Sequence, residues 1–155
     1  MTEGVTKLRV GGLNVRTLSI AGTYCDADRF TARLPEYLYA FRKQHLDMVV
    51  LLETRVPSKD TFVQGDYVCI CSGLRELENE KSEKKRRKRE DGVMIAVKKE
   101  WEDSITHIEK VSHCIMWIAG CFDGVSMAFL GHHAPTQAIT DAEMRSTDGA
   151  SLSIL

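Results

Sequence analysis

The chain has little of what marks the specialised classes. Only three of its 155 residues are proline, and neither charge sign is in excess: 21 lysines and arginines stand against 22 aspartates and glutamates, a formal net charge of −1. That balance excludes attraction of the whole molecule to a polyanion, so any affinity for nucleic acid must come from a local cluster. No apolar stretch approaches the roughly 20 residues that span a bilayer as a helix, so no membrane partner is expected. The opening MTEGVTKLRV lacks the basic-then-apolar order of a secretory signal, and an intracellular chain is the expectation. The five cysteines (Cys25, Cys69, Cys71, Cys114, Cys121) are odd in number and contain no CxxC pair, so neither a disulfide framework nor a zinc site is indicated. Reduced, part-buried thiols are expected, with Cys69 and Cys71 on one face of a strand.

What is present reads as one α/β domain: 43% hydrophobic and 28% charged residues are enough bulk to bury a core. KLRVGGLNV (7–15) suits a strand, with Gly11 and Gly12 hinting at a bulge or a close backbone approach. In RFTARLPEYLYAFRKQHL, the residues Phe30, Leu34, Leu38, Phe41 and Leu46 recur at near-helical spacing. Pro35 belongs in the first turn, and Arg42 and Lys43 suit the far end of the helix dipole. LDMVVLLE (46–53) is a continuous apolar run, the mark of a strand covered on both faces. Strand, helix, strand makes a βαβ unit with parallel strands, which puts Asn14 and Glu53 at the same carboxyl edge of the sheet.

Further strands are expected at 65–73 (GDYVCICSG) and 92–101 (GVMIAVKKEW). Between them, 75–91 has almost no apolar residue and reads as a solvated insertion. Apolar runs on either side of Asp123-Gly124 predict a hairpin closed by a two-residue turn. Trp101 and Trp117 read as core or strand-end packing, and His107 and His113 as surface or hydrogen-bonded residues. The domain occupies 1–136, followed by a tail, 137–155, expected to fray.

Two features could carry chemistry. A carboxylate at the carboxyl edge of a buried strand, Glu53, can hold a hard divalent cation, which takes one or two carboxylates plus waters and phosphate oxygens; Asn14 adds a neutral amide to orient a ligand. Alternatively Glu53 caps its strand or pairs with Arg55. The basic run Lys84, Lys85, Arg86, Arg87, Lys88 and Arg89 fits three roles: a solvated loop balanced by neighbouring glutamates, a nuclear-import signal, or a phosphate-binding patch for DNA.

Taken in order, LNVRTL (13–18), VVLLETR (49–55), GDYVCICSG (65–73), GVMIAV (92–97) and HAPT (133–136) resemble the endonuclease/exonuclease/phosphatase family. The likeness is closest to the endonuclease domains of non-LTR retrotransposons and to the craniofacial-development-protein-2-like sequences derived from them. The resemblance implies a four-layered α/β sandwich and hydrolysis of DNA phosphodiesters with Mg²⁺ (or Mn²⁺). It assigns Asn14 and His133 to the catalytic site, Glu53 to the metal, and Arg16 and Thr136 to the substrate, with His133 where the family's YAPT motif carries tyrosine.

The family's later GDFN and SDH motifs are absent, and Cys114 stands where relatives tend to show arginine. A partial sandwich follows: the first sheet and its helix largely present, the second half missing. That implies impaired catalysis, since a general base is worth about 10² to 10⁴ in rate. It also implies an uncovered apolar sheet face through which copies could self-associate. The alternative is a non-catalytic fragment that at most binds nucleic acid through residues 84–89.

Overall fold

A computed structural model describes residues 7–18, 31–73 and 92–134, and these form an α/β arrangement dominated by two β-sheets. The elements are β1 (Val10–Asn14), α1 (Leu34–Lys43), β2 (Met48–Leu52), β3 (Thr61–Gln64), β4 (Tyr67–Cys71), β5 (Val93–Lys98), β6 (Ile105–Ser112), β7 (Ile115–Phe122) and β8 (Val125–His132). The first sheet has the order β1-β2-β5-β4-β3; the second is the antiparallel meander β6-β7-β8. The β1–β2 pair is parallel, and every other pair in the first sheet is antiparallel. The charged insertion with Lys84–Arg89, together with Thr136 and the tail, lies outside the described residues.

The apolar runs of β2, β4 and β5 become central strands because they bury both faces. On one side Val49, Leu51, Cys69, Cys71, Met94 and Ala96 meet Leu34, Leu38 and Phe41 of α1. On the other, Met48, Val68, Ile70, Val93, Ile95 and Val97 meet Met116, Ile118 and Phe122 of the second sheet. The helix begins at Leu34 with Pro35 in its first turn, where the missing N–H has no partner to lose. Cys69 and Cys71 share the helix-side face, and burial pushes both thiols up to about 12, which holds them protonated and inert.

Three expectations are corrected. The face of the first sheet opposite α1 is covered at β2, β4 and β5, because β6–β8 pack on it closely. A Cβ added at Gly131 would lie 2.5 Å from Val93 Cγ1 and 2.9 Å from Val50 Cγ1, so glycine is what lets the sheets meet. The strand expected over 92–101 stops at Lys98, and Lys99–Ser104 turn as a 3₁₀ segment that sets the Trp101 ring 6.0 Å from that of Phe122. Two strands, β3 and β6, are additional: β3 is only four residues long, and β6 (ITHIEKVS) interleaves charge with apolar residues because most of it is exposed. The hairpin forms at Asp123-Gly124 with φ of 51° and 77°, the left-handed pair that a two-residue turn requires. Among the described residues no helix is long and apolar enough to cross a membrane.

The amino end of β2 is fixed by a buried acid. Asp47 accepts the Arg9 N–H at 2.8 Å and the Lys98 ammonium at 3.0 Å. Burial alone would raise its carboxyl, but the Arg9 N–H and Lys98 outweigh burial and hold it below its ordinary value, while Asp47 in turn holds Lys98 above its own. Asp47→Ala is expected to cost about 2 kcal/mol in urea unfolding, because it strands a part-buried cation. The depressed acid contributes stability above the unfolded carboxyl value and loses it as pH falls through the folded one; the raised lysine contributes below its unfolded value and loses it as pH rises further. The wild-type advantage should therefore hold between about pH 5 and 10 and shrink on both sides.

Candidate active site

Parallel pairing of β1 with β2 sets Asn14 opposite Leu52, and the Val15 N–H carries the ladder one step on, to the Leu52 carbonyl at 3.0 Å. Glu53 is the first residue past β2, and there the chain turns sharply: its φ is 57°. The turn swings its side chain back beside Asn14, whose Nδ2–H donates to Glu53 Oε1 at 2.5 Å. The Asn14 Oδ1 accepts the Arg16 N–H at 2.9 Å. A carboxylate can only accept and an N–H can only donate, so these two contacts fix which way the amide faces.

His133 reaches the same place from the second sheet. It follows the last residue of β8, and its N–H donates to the Cys114 carbonyl at 2.9 Å, which seats it over the first sheet's rim. Its Nε2 lies 3.0 Å from Glu53 Oε1, with both side chains about nine-tenths buried. Since the ionised carboxylate is an acceptor, Nε2 carries the proton. Nδ1 is buried and has no hydrogen bond among the described residues.

A lattice of loop hydrogen bonds beneath these residues was not legible in the sequence. Ser72 is its centre: Oγ accepts the Val93 N–H at 2.9 Å and donates to the His113 carbonyl at 3.1 Å, tying the two sheets together. The Gly92 N–H reaches the same carbonyl, the Thr54 N–H reaches the Gly92 carbonyl, and the Leu18 N–H reaches the Thr54 carbonyl. Loops after β1, after β2, before β5 and between β6 and β7 thus close into one framework. The signal available was small: a serine just past an apolar strand, in CICSG.

This rim also holds backbone strain. Arg16, Glu53 and Arg55 have φ of 58°, 57° and 56°, left-handed values that cost a non-glycine residue about 1 kcal/mol or more. Strain of this kind persists where surrounding bonds overdetermine the chain, as the Ser72 framework does here.

Of the residues singled out from the sequence, Asn14, Glu53 and His133 come together; Arg16 sits beside them, exposed, bonded through its N–H. Thr136 and Lys84–Arg89 fall outside the described residues. Cys114 is buried and holds His133 through its carbonyl. His113 serves the framework by its carbonyl, while His107 lies away on the second sheet, its ring 4.6 Å from Trp117.

Both hydrogen bonds to Glu53 fall on Oε1. Among the described residues there is no group of three or more histidines, cysteines, aspartates or glutamates that could enclose a metal ion. The described residues form no closed all-protein cage, and a single carboxylate such as Glu53 could hold a hard cation only together with water and phosphate oxygens, the manner of Mg²⁺. No family model matches the chain, and no curated protein matches it.

Replacing Asn14 by aspartate would set two carboxylates at hydrogen-bond distance. Asn14→Asp is expected to lower stability at pH 7 by about 1–2 kcal/mol, with recovery in millimolar Mg²⁺ or as pH falls toward 4, because like charges so close cannot both ionise unpaired. Thermal melts with and without the cation check this; a loss indifferent to both pH and Mg²⁺ would place the two side chains farther apart than they stand here.

Proposed function

We propose that the chain is a relative of the endonuclease/exonuclease/phosphatase family. On this reading it keeps the first sheet, its helix and three strands of the second sheet of that four-layered sandwich. Asn14, Glu53 and His133 form the metal-and-phosphate side of a Mg²⁺-dependent site for DNA phosphodiesters. The observation that carries this reading is the meeting of an amide, an acid and an imidazole from three distant segments on one carboxylate oxygen at one sheet rim.

In this site Glu53 would hold Mg²⁺ (or Mn²⁺), and the ion when bound would neutralise phosphate charge and polarise the scissile bond. Asn14 fixes the Glu53 carboxylate by donating to it. His133 does the same from the other side and roofs the acid against water, which strengthens its attraction for a cation. Arg16, at the exposed lip, supplies a cation for the flanking backbone of the substrate. The GDFN and SDH motifs that would supply and orient a general base are absent from the sequence, so turnover is slower than in a complete site by about the 10² to 10⁴ that a general base contributes.

One observation favours a second reading, a non-catalytic module that grips nucleic acid through residues 84–89. The rim residues that converge here include a single carboxylate, Glu53. One assay separates the two readings. Supercoiled plasmid incubated with the protein should be nicked slowly in Mg²⁺ or Mn²⁺, and nicking should vanish with chelator and in Glu53→Gln. Retention of the plasmid that weakens with salt, without nicking at any protein concentration, would establish the second reading. Nicking that survives Glu53→Gln would sink the first.

A further inference from the structure

The two sheets have four edges, and three are blunted against pairing. At one edge of the first sheet β3 is four residues long; at the other β1 contains Gly11 and Gly12. On the second sheet β6 breaks its register twice, between Ile105 and His107 and between Lys110 and Ser112, and carries Glu109 and Lys110. Short strands, bulges and charges are the usual devices that keep an edge from recruiting another chain. Among the described residues the fourth edge has none of them. β8, VSMAFLGH, runs eight residues in unbroken register with β7 and contains no charged residue and no proline.

The turn fixes which backbone groups β8 offers. A two-residue hairpin closes on a pair that exchanges both hydrogen bonds, here Phe122 with Val125. Bonded pairs then recur at Met127, Phe129 and Gly131, so the N–H and C=O of Ser126, Ala128, Leu130 and His132 point to the free edge. All four residues are exposed, Leu130 at 62%.

We infer that β8 is an interface for a second copy of this chain, pairing antiparallel with its counterpart about a two-fold axis at Phe129 to join two three-stranded sheets into one. Only a register centred there brings all four outward-pointing residues into bonded pairs, Ser126 with His132′ and Ala128 with Leu130′, giving about eight interchain hydrogen bonds. That lies within the span of roughly 5 to 15 found in stable interfaces. The side chains match themselves in this register. Polar Ser126 faces polar His132′, small Ala128 faces large Leu130′, and Met127 faces Gly131′; no like charges meet, because the strand has none. The partner therefore joins an edge, not the sheet face expected from the sequence, and the proposal is independent of the nuclease reading.

Sedimentation equilibrium of the full chain should show a concentration-dependent dimer. Ala128→Pro removes an N–H that points away from β7, so it should weaken the dimer about a hundredfold while leaving the circular dichroism spectrum unchanged. Leu130→Lys, which sets two ammonium groups on a diagonal across the axis, should do the same should the proline variant fail to fold. For the register, Ser126→Cys and His132→Cys chains, each in a Cys121→Ser background, should cross-link with each other on mild oxidation and not with themselves. A monomer at every concentration, a dimer indifferent to Leu130→Lys, or self-cross-linking of Ser126→Cys would overturn the inference.

Discussion

The central strands of the first sheet, β2, β4 and β5, are covered on both faces, by α1 on one side and by β6–β8 on the other, and most of what distinguishes this molecule follows from that. A strand with no wet face must bond every backbone group sideways, and it cannot carry a polar side chain without a partner. β5 shows the constraint at its strongest, with Val93, Met94, Ile95, Ala96 and Val97 all fully buried. Chemistry is therefore pushed to the strand ends. Asp47 occupies one end of β2 and Glu53 the other, six residues apart, and the acids differ in what surrounds them. Asp47 is met by a lysine and a backbone N–H; Glu53 is met by an amide and an imidazole.

On the proposed reading, that difference favours the Glu53 rim over Asp47 as the place for a cation. An ammonium beside a carboxylate already satisfies it, and a metal ion would have to displace the lysine. The Asn14 amide beside Glu53 carries no charge to displace, and a part-buried setting with low water access strengthens an acid's pull on a cation. The strained backbone fits the same picture. Glu53 at φ 57° points back toward Asn14 because the chain turns there against its preference, and the Ser72 framework is the set of bonds that resists relaxation. A strand ending in ordinary extended geometry would send the next side chain away from its parallel neighbour.

Periodicity and turn chemistry made the elements of the first sheet readable. The apolar run 46–53 could only be a doubly covered strand, Pro35 marked the start of the helix, and Asp123-Gly124 fixed the hairpin. From the βαβ unit alone the shared edge of Asn14 and Glu53 followed. What was not legible depends on long-range context. TFVQ is too short to show alternation, and β6 is a strand because β7 lies beside it, since its own mix of Thr, His, Glu and Lys carries no clear period. Ser72 became the knot between the sheets through partners 21 and 41 positions away, a relation that no local pattern encodes.

β8 joins the two halves of this account. The same strand brings Gly131 down onto Val93 and Val50, delivers His133 to Glu53 at its end, and pairs on its outer side with no other described strand. A three-stranded antiparallel sheet is stable only through the apolar face it buries. Here Met116, Ile118 and Phe122 of the central strand make that packing, while Met127 and Phe129 of β8 are only partly buried. β8 is thus held by one ladder and partial packing, yet it must place an imidazole to within a hydrogen bond. The position of His133 is the most exposed link in the site, and it rests on the Cys114 carbonyl and on whatever steadies the free side of β8.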